Sequence, residues 1–162
     1  MEKSSITLEE IKLVGITART NNANEMDPEK GIIGKTLEKF FSNGLAEKIP
    51  NRKKPGNLYC VYTNYESDET GDYTYFVGEA VTTFENLDKD FETLTIPMQS
   101  YAKFNIGPGK MPQACIEAWQ KIWQMGEKDF GSPRNYIADF EIYDERAHDP
   151  ENSVFDIYIG IE

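Results

Sequence analysis

The segment 136–143 (YIADFEIY) carries two carboxylates, Asp139 and Glu141, among aromatic and aliphatic residues. Side chains alternate between the two faces of a β-strand, so both acids are expected on one face and their immediate neighbours on the other. A carboxylate in an aromatic-lined cavity is costly to ionise unless a cation or a hydrogen-bond donor offsets the loss of hydration. The pattern therefore predicts a site for a cationic ligand at Glu141.

The same pattern also fits a strand on a half-exposed antiparallel sheet, in which Glu141 would face the solvent. On either interpretation, Asp139 and Asp156 are expected to be solvated residues at the rim of the sheet. The strand alone does not distinguish a ligand site from a solvent-exposed sheet face. The choice between the two interpretations therefore depends on the aromatic residues elsewhere in the chain.

Two groups of aromatic residues are candidates for the lining of such a site, because rings present their negative faces to a cation. Trp119 and Trp123 lie one helical turn apart and could pack against a sheet, line a pocket, or do both. Five tyrosines fall on predicted strands near the proposed groove, and Tyr73 is one of them. The predicted ligand-binding residues are Glu141, Trp119, Trp123, Tyr62, Tyr75, Tyr143 and Tyr158.

Apolar periodicity and turn residues predict the strands and helices that hold these side chains. A helix is expected from Pro28 to Ser42 after Asp27 as its N-cap, and a second helix is expected to begin at Pro112. The polar segment 66–72 predicts a hairpin, and the Gly-Pro-Gly sequence at 107–109 is expected to end a strand. Strands are predicted at 13–18, 58–65, 73–81, 101–106, 136–143 and 154–161.

The two halves of the chain run in the same order, strand, helix, strand, strand, and YTYFVGEAV at 73–81 echoes FDIYIGIE at 155–162. This order predicts a duplicated βαββ module, with a first half at about 5–82 and a second at about 93–162 of a single domain, 1–162. The expected fold class is α+β: an antiparallel sheet with two main helices on one side, a pseudo-twofold axis and a central ligand groove between the halves.

Composition narrows the possible functions. The chain of 162 residues has 17 Lys and Arg against 28 Asp and Glu, a formal net charge of −11. This charge disfavours direct nucleic-acid binding and favours cations or basic partners. Cys60 and Cys115 lack metal-ligand spacing and His148 is the only histidine, so no catalytic residue set, metal site or cofactor is predicted and the thiols are expected to pack as small apolar groups.

The localisation expected from the sequence is cytoplasmic. No apolar run approaches the roughly 20 residues of a membrane helix, so no membrane association is predicted. The N-terminus also lacks the basic region and apolar core of a signal peptide.

The segment 62–78 (YTNYESDETGDYTYFVG), the two tryptophans, DFEIY from Asp139 and DIYIGI from Asp156 together resemble the GyrI-like superfamily. The resemblance covers essentially the full chain. It is strongest to stand-alone AraC-type effector-binding domains, which include integron-associated effector-binding proteins. It implies a tandem βαββ fold with a ligand cavity between the halves, in which a buried acid among aromatic residues recognises lipophilic cations. The residue that matches this acid is Glu141.

Three functions follow from the resemblance, and the first is preferred. It is an effector-binding domain for small lipophilic or cationic compounds, of the multidrug-binding kind. Regulators of this superfamily carry a helix-turn-helix module for which this chain leaves no residues, so a role in transcription regulation is expected to need a protein partner or a sequestering mechanism. The second is a protein-binding inhibitor of the gyrase-inhibitor type. The third is a hydrolase of cyclopropane-type toxins, in which Glu141 would position water and a tyrosine would assist proton transfer.

Overall fold

The chain forms eight β-strands and four α-helices in the computed structural model, which describes residues 1–162. In chain order these elements are β1 (Glu2–Leu8), β2 (Ile11–Thr20), α1 (Asn22–Glu25), α2 (Ile33–Ser42), β3 (Leu58–Thr63), β4 (Tyr73–Ala80), β5 (Glu92–Ile96), β6 (Gln99–Gly109), α3 (Gln113–Trp123), α4 (Glu127–Phe130), β7 (Ala138–Tyr143) and β8 (Ser153–Ile161). None of the helices has the length and apolar composition required to cross a membrane.

All eight strands belong to one antiparallel sheet with the order β1-β6-β8-β7-β3-β4-β2-β5. This order is symmetric, because exchanging β1–β4 with β5–β8 reproduces every pairing. The centre of the sheet is the β3–β7 pair, and each outer strand pairs with the other half of the chain: β1 with β6, and β5 with β2. The predicted α+β class and antiparallel sheet are confirmed.

The two main helices lie on one face of the sheet and leave its centre between them. Helix α2 packs on β2 and β4, whereas α3 packs on β6. A row of paired residues crosses this face through adjacent strands: Ile16, Val77, Cys60, Glu141, Ile157 and Phe104. Glu141 is the one charged member of this apolar row, and it lies on the central pair.

The opposite face of the sheet is also buried. Its core consists of Leu13, Val61, Phe76, Ile96, Tyr101, Ala138, Phe140 and Tyr158. Residues 97–98 join β5, at one end of the strand order, to β6, next to the other end. Such a short link requires the two ends of the sheet to approach each other, so the sheet curls and encloses this face.

Several predicted boundaries are wrong. Helix α2 begins at Ile33 rather than Pro28, because the Glu25 carboxylate accepts the backbone N–H groups of Ile32 and Ile33, each at 3.0 Å. Strands β1 and β5 lie outside every predicted strand, and β6 continues through Gly109 instead of ending at residue 106. The β3–β4 hairpin and the helix after Pro112 are confirmed.

Candidate ligand-binding site

Glu141 is buried in the centre of the sheet, with 3% of its surface exposed. It lies opposite Cys60 on β3 and Ile157 on β8, both of which are also buried. The alternation of side chains along β7 requires this placement, because Phe140 belongs to the core on the other face. The interpretation in which Glu141 faces the solvent is therefore wrong.

Three neutral donors bind the Glu141 carboxylate. Its Oε2 atom accepts hydrogen bonds from the Tyr62 hydroxyl and the Trp119 indole N–H, each at 2.6 Å. Its Oε1 atom accepts a hydrogen bond from the Tyr143 hydroxyl at 2.5 Å. The donors come from β3, α3 and β7, so the carboxylate connects the central strands to one helix. The Cys115 sulfur of α3 lies next to this group, in contact with the Tyr143 hydroxyl.

Aromatic rings surround these hydrogen bonds. The Tyr62 ring lies 4.9 Å from that of Trp119 and 5.5 Å from those of Tyr73 and Tyr75. On the other side, the Tyr143 ring stacks on Phe155 at 4.8 Å. Tyr62 and Tyr143 are half-buried, so these two tyrosines form the part of the cluster nearest to the surface.

Most of the predicted binding residues lie in this cluster. Tyr75 is buried beside Tyr62, and Trp119 contacts the carboxylate directly. Trp123, one turn further along α3, is half-buried and packs against the apolar core that includes Trp119. Trp123 therefore lies at the edge of the cluster rather than at the carboxylate.

Tyr158 does not belong to this cluster, so its predicted position near the groove is wrong. It pairs with Phe140 on the opposite face of the sheet, and the two rings stack at 4.7 Å. The Lys103 ammonium lies 5.5 Å from the centre of the Tyr158 ring. The β7–β8 register aligns Ile157, not Tyr158, with Glu141, and a shift of one residue exchanges the faces.

Asp139 is fully buried, contrary to its predicted solvated position. Its Oδ2 atom accepts hydrogen bonds from Arg134 at 2.6 Å and from the Tyr65 hydroxyl at 2.5 Å, and its Oδ1 atom accepts the backbone N–H of Gly160 at 2.7 Å. The Arg134 guanidinium in turn lies 4.3 Å from the centre of the Tyr136 ring. This closed ion-pair cluster holds the beginning of β7 against β8.

The four buried carboxylates of the protein differ in their counter-ions. Three are paired with an arginine: Glu79 with Arg52 at 3.3 Å, Asp139 with Arg134 at 2.6 Å and Asp156 with Arg146 at 2.6 Å. The pairing of Asp156, which is 6% exposed, also corrects its predicted solvated position. Glu141 is the exception, because no Lys, Arg or His nitrogen lies within 4.0 Å of its oxygens.

Burial raises the pKa of Glu141 above its ordinary value, while the hydrogen bonds from Tyr143, Tyr62 and Trp119 oppose this rise. Burial and the charge of Glu141 raise the pKa values of Tyr62 and Tyr143 well above the ordinary phenol value. Both hydroxyls therefore remain protonated donors at neutral pH.

The two thiols lie beside the carboxylate, a placement that the sequence analysis missed. Cys60 is opposite Glu141, and the Cys115 sulfur lies 3.5 Å from the Tyr143 hydroxyl. Strand alternation could have placed Cys60 on the face of Tyr62, two residues away. Burial raises the pKa of both thiols, which favours their protonated form at neutral pH. No group of three or more His, Cys, Asp or Glu side chains is arranged to hold a metal ion.

Comparison with known proteins identifies the family. Residues 6–161 match the Cass2 family, integron-associated effector binding protein. The chain belongs to the Cass2 family. This membership confirms the expected GyrI-like resemblance.

Relatives of this Cass2 protein match over nearly their whole length. The putative transcriptional regulator protein YobU of Bacillus subtilis (strain 168) is 28% identical over 151 residues, which are 93% of this chain and 92% of YobU. The integron cassette protein VCH_CASS2 of Vibrio cholerae is 28% identical, with 99% of this chain and 95% of that chain covered and a TM-score of 0.79. SAV2435 bound to tetraphenylphosphonium shares the fold at 16% identity, with a TM-score of 0.80. The match covers 100% of this chain and 94% of SAV2435.

Proposed function

We propose that this Cass2 protein binds small lipophilic cations, with the positive charge of the ligand beside Glu141. The observation that carries the proposal is the missing counter-ion. Glu141 is the one buried carboxylate without an arginine partner, and aromatic rings surround it. A ligand cation would supply the positive charge that an arginine supplies to each of the other three buried carboxylates.

The energies support a cation rather than a neutral ligand. A unit charge about 4 Å from the carboxylate gains about 4 kcal/mol at an effective dielectric constant of about 20. Each ring that faces the cation adds about 0.5 to 2 kcal/mol. These interactions depend little on direction, so cations of different shapes are expected to bind. SAV2435, which has the same fold, is bound to tetraphenylphosphonium and so provides the first probe.

The route to the carboxylate lies between the two helices. Helix α2 covers β2 and β4, helix α3 covers β6, and the half-buried Tyr62 and Tyr143 lie on the central pair β3–β7. We expect a ligand to enter beside these two rings and to shift their side chains, because Glu141 itself is 3% exposed.

The test compares tetraphenylphosphonium with tetraphenylborate, which has nearly the same shape and the opposite charge. Isothermal titration calorimetry and thermal unfolding should show binding of the cation and none of the anion. A ligand that binds only the folded state at roughly 100 times its Kd should stabilise the protein by about 2.7 kcal/mol. Equal responses to the two ions would overturn the proposed charge preference.

The variant Glu141→Gln assigns the binding to this residue. It should weaken tetraphenylphosphonium binding by about tenfold or more, which corresponds to about 1.4 kcal/mol. The matched control is Glu117→Gln, which makes the same charge change on the exposed face of α3 and should leave affinity unchanged. Unchanged affinity in folded Glu141→Gln would refute the proposed role of this carboxylate.

A further inference from the structure

The hydrogen bonds of Glu141 leave little room for donors from a ligand. An ionised carboxylate offers about four lone-pair positions. Tyr62 and Trp119 take two on Oε2, and Tyr143 takes one on Oε1. The protein therefore occupies three of these positions, and the one that remains is on Oε1.

This arrangement treats two kinds of organic cation differently. A primary ammonium brings three N–H donors, each of which loses its water on entering the site. One N–H can bond to the remaining position on Oε1, and the other two are left with the neutral phenol oxygens of Tyr62 and Tyr143, which are weaker acceptors than the carboxylate. A quaternary ammonium or phosphonium has no such donor and needs only the charge and the rings.

We infer that the site selects cations without N–H donors over primary ammonium ions that carry the same aromatic group, and that Tyr143 determines this selectivity. The inference rests on the proposed function and specifies its ligand class. Tyr143 holds this role because it is the one side-chain hydroxyl that donates to Oε1. Removing that hydroxyl leaves both acceptor positions of Oε1 open to ligand N–H groups, while Oε2 keeps both of its donors.

Tyr73 provides a matched control for Tyr143. Its ring lies 5.5 Å from that of Tyr62, in the same aromatic cluster. Its hydroxyl, however, donates to the Asn22 Oδ1 atom at 3.0 Å rather than to Glu141. Tyr73→Phe therefore removes one buried hydroxyl beside the site without freeing an acceptor on the carboxylate.

The experiment measures Kd by calorimetry for 4-phenylbenzyltrimethylammonium and 4-phenylbenzylammonium, below the pKa of the amine so that both are cations. The wild type should bind the quaternary ion about tenfold more tightly or better. The three methyl groups add apolar contact wherever they are buried, so the decisive quantity is the change in this ratio among variants. In Tyr143→Phe the ratio should fall about fivefold or more through tighter binding of the primary ion. In Tyr73→Phe the ratio should not change.

Two results would overturn the inference while leaving the proposed function intact. One is equal or tighter binding of the primary ion by the wild type. The other is an unchanged ratio in Tyr143→Phe that still folds cooperatively and still binds the quaternary ion. Failure of both ions to bind, or affinities that Glu141→Gln does not alter, would instead overturn the proposed function and the inference with it.

Discussion

The indole N–H of Trp119 lies 2.6 Å from Oε2 of Glu141, so one hydrogen bond joins α3 to the central strand β7. Trp119, Ala118 and Ile122 are the buried residues of α3. One of the three residues that fix the helix thus also contacts the proposed ligand site. The charge state of Glu141 and the packing of α3 are therefore coupled.

Replacing Trp119 by Phe should destabilise the protein and do so more at high pH. The ionised carboxylate loses a donor, and a hydrogen bond to a charged group is worth about 1.5 to 3 kcal/mol. Urea unfolding at pH 5 and pH 8 would measure the pH dependence. The control Trp123→Phe alters the same helix without touching Glu141. Equal pH dependence in the two variants would contradict the coupling.

The stability conferred by Glu141 should decrease with increasing pH. Burial raises the pKa of Glu141 in the folded protein above the ordinary 4.5. At pH values between 4.5 and this raised pKa, the folded state therefore holds more protons than the unfolded state. The unfolding free energy of Glu141→Gln minus that of the wild type should therefore increase with pH through this window. The slope is limited to about 1.4 kcal/mol per pH unit. Denaturation from pH 4 to 9 tests the sign, and the same difference for Glu117→Gln should stay flat.

Cation binding should have the opposite pH dependence to stability. Tetraphenylphosphonium carries a permanent charge, so it favours the ionised form of Glu141 and should displace its proton. Affinity should increase as pH rises through the pKa of the free protein, by at most about tenfold per pH unit. Calorimetry in buffers of different ionisation enthalpy would detect the released proton. A pH-independent Kd in this range would mean that Glu141 is already ionised before the ligand arrives.

Removal of Arg134 should cost much more stability than removal of both members of its ion pair. Arg134→Met leaves Asp139 buried without a counter-ion, a change that typically costs about 3 to 5 kcal/mol. Adding Asp139→Asn should recover a large part of this loss, because the remaining amide is neutral. Urea denaturation of the two single variants and the double variant measures the coupling. Strictly additive losses would show that the pair is not energetically linked.

The local features of the site could be predicted from the sequence, because they depend on periodicities of two or four residues. Strand alternation placed Glu141 on one face of β7, and helical spacing placed Trp119 over the sheet. The buried position of Asp139 could not be derived in this way, since it depends on the register of β7 against β8 and on Arg134.

The errors in the predicted elements have a similar cause. Strand β1 (EKSSITL) lacks an apolar face and is largely exposed, so it forms through its pairing with β6, about a hundred residues away. The beginning of α2 depends on a carboxylate seven and eight residues earlier, at Glu25. Tyr158 was placed on the wrong face because register follows from the whole sheet rather than from the strand itself.

The exchange of outer strands between the two halves limits how the chain can be divided. A break between Pro97 and Met98 would leave the N-terminal fragment with β1, whose pairing partner β6 is on the other piece. The C-terminal fragment would in turn lack the strand that protects the edge of β6, and the central β3–β7 contact would be lost from both. Neither fragment then holds a complete sheet, so native structure should return only when the two are mixed, as a noncovalent heterodimer.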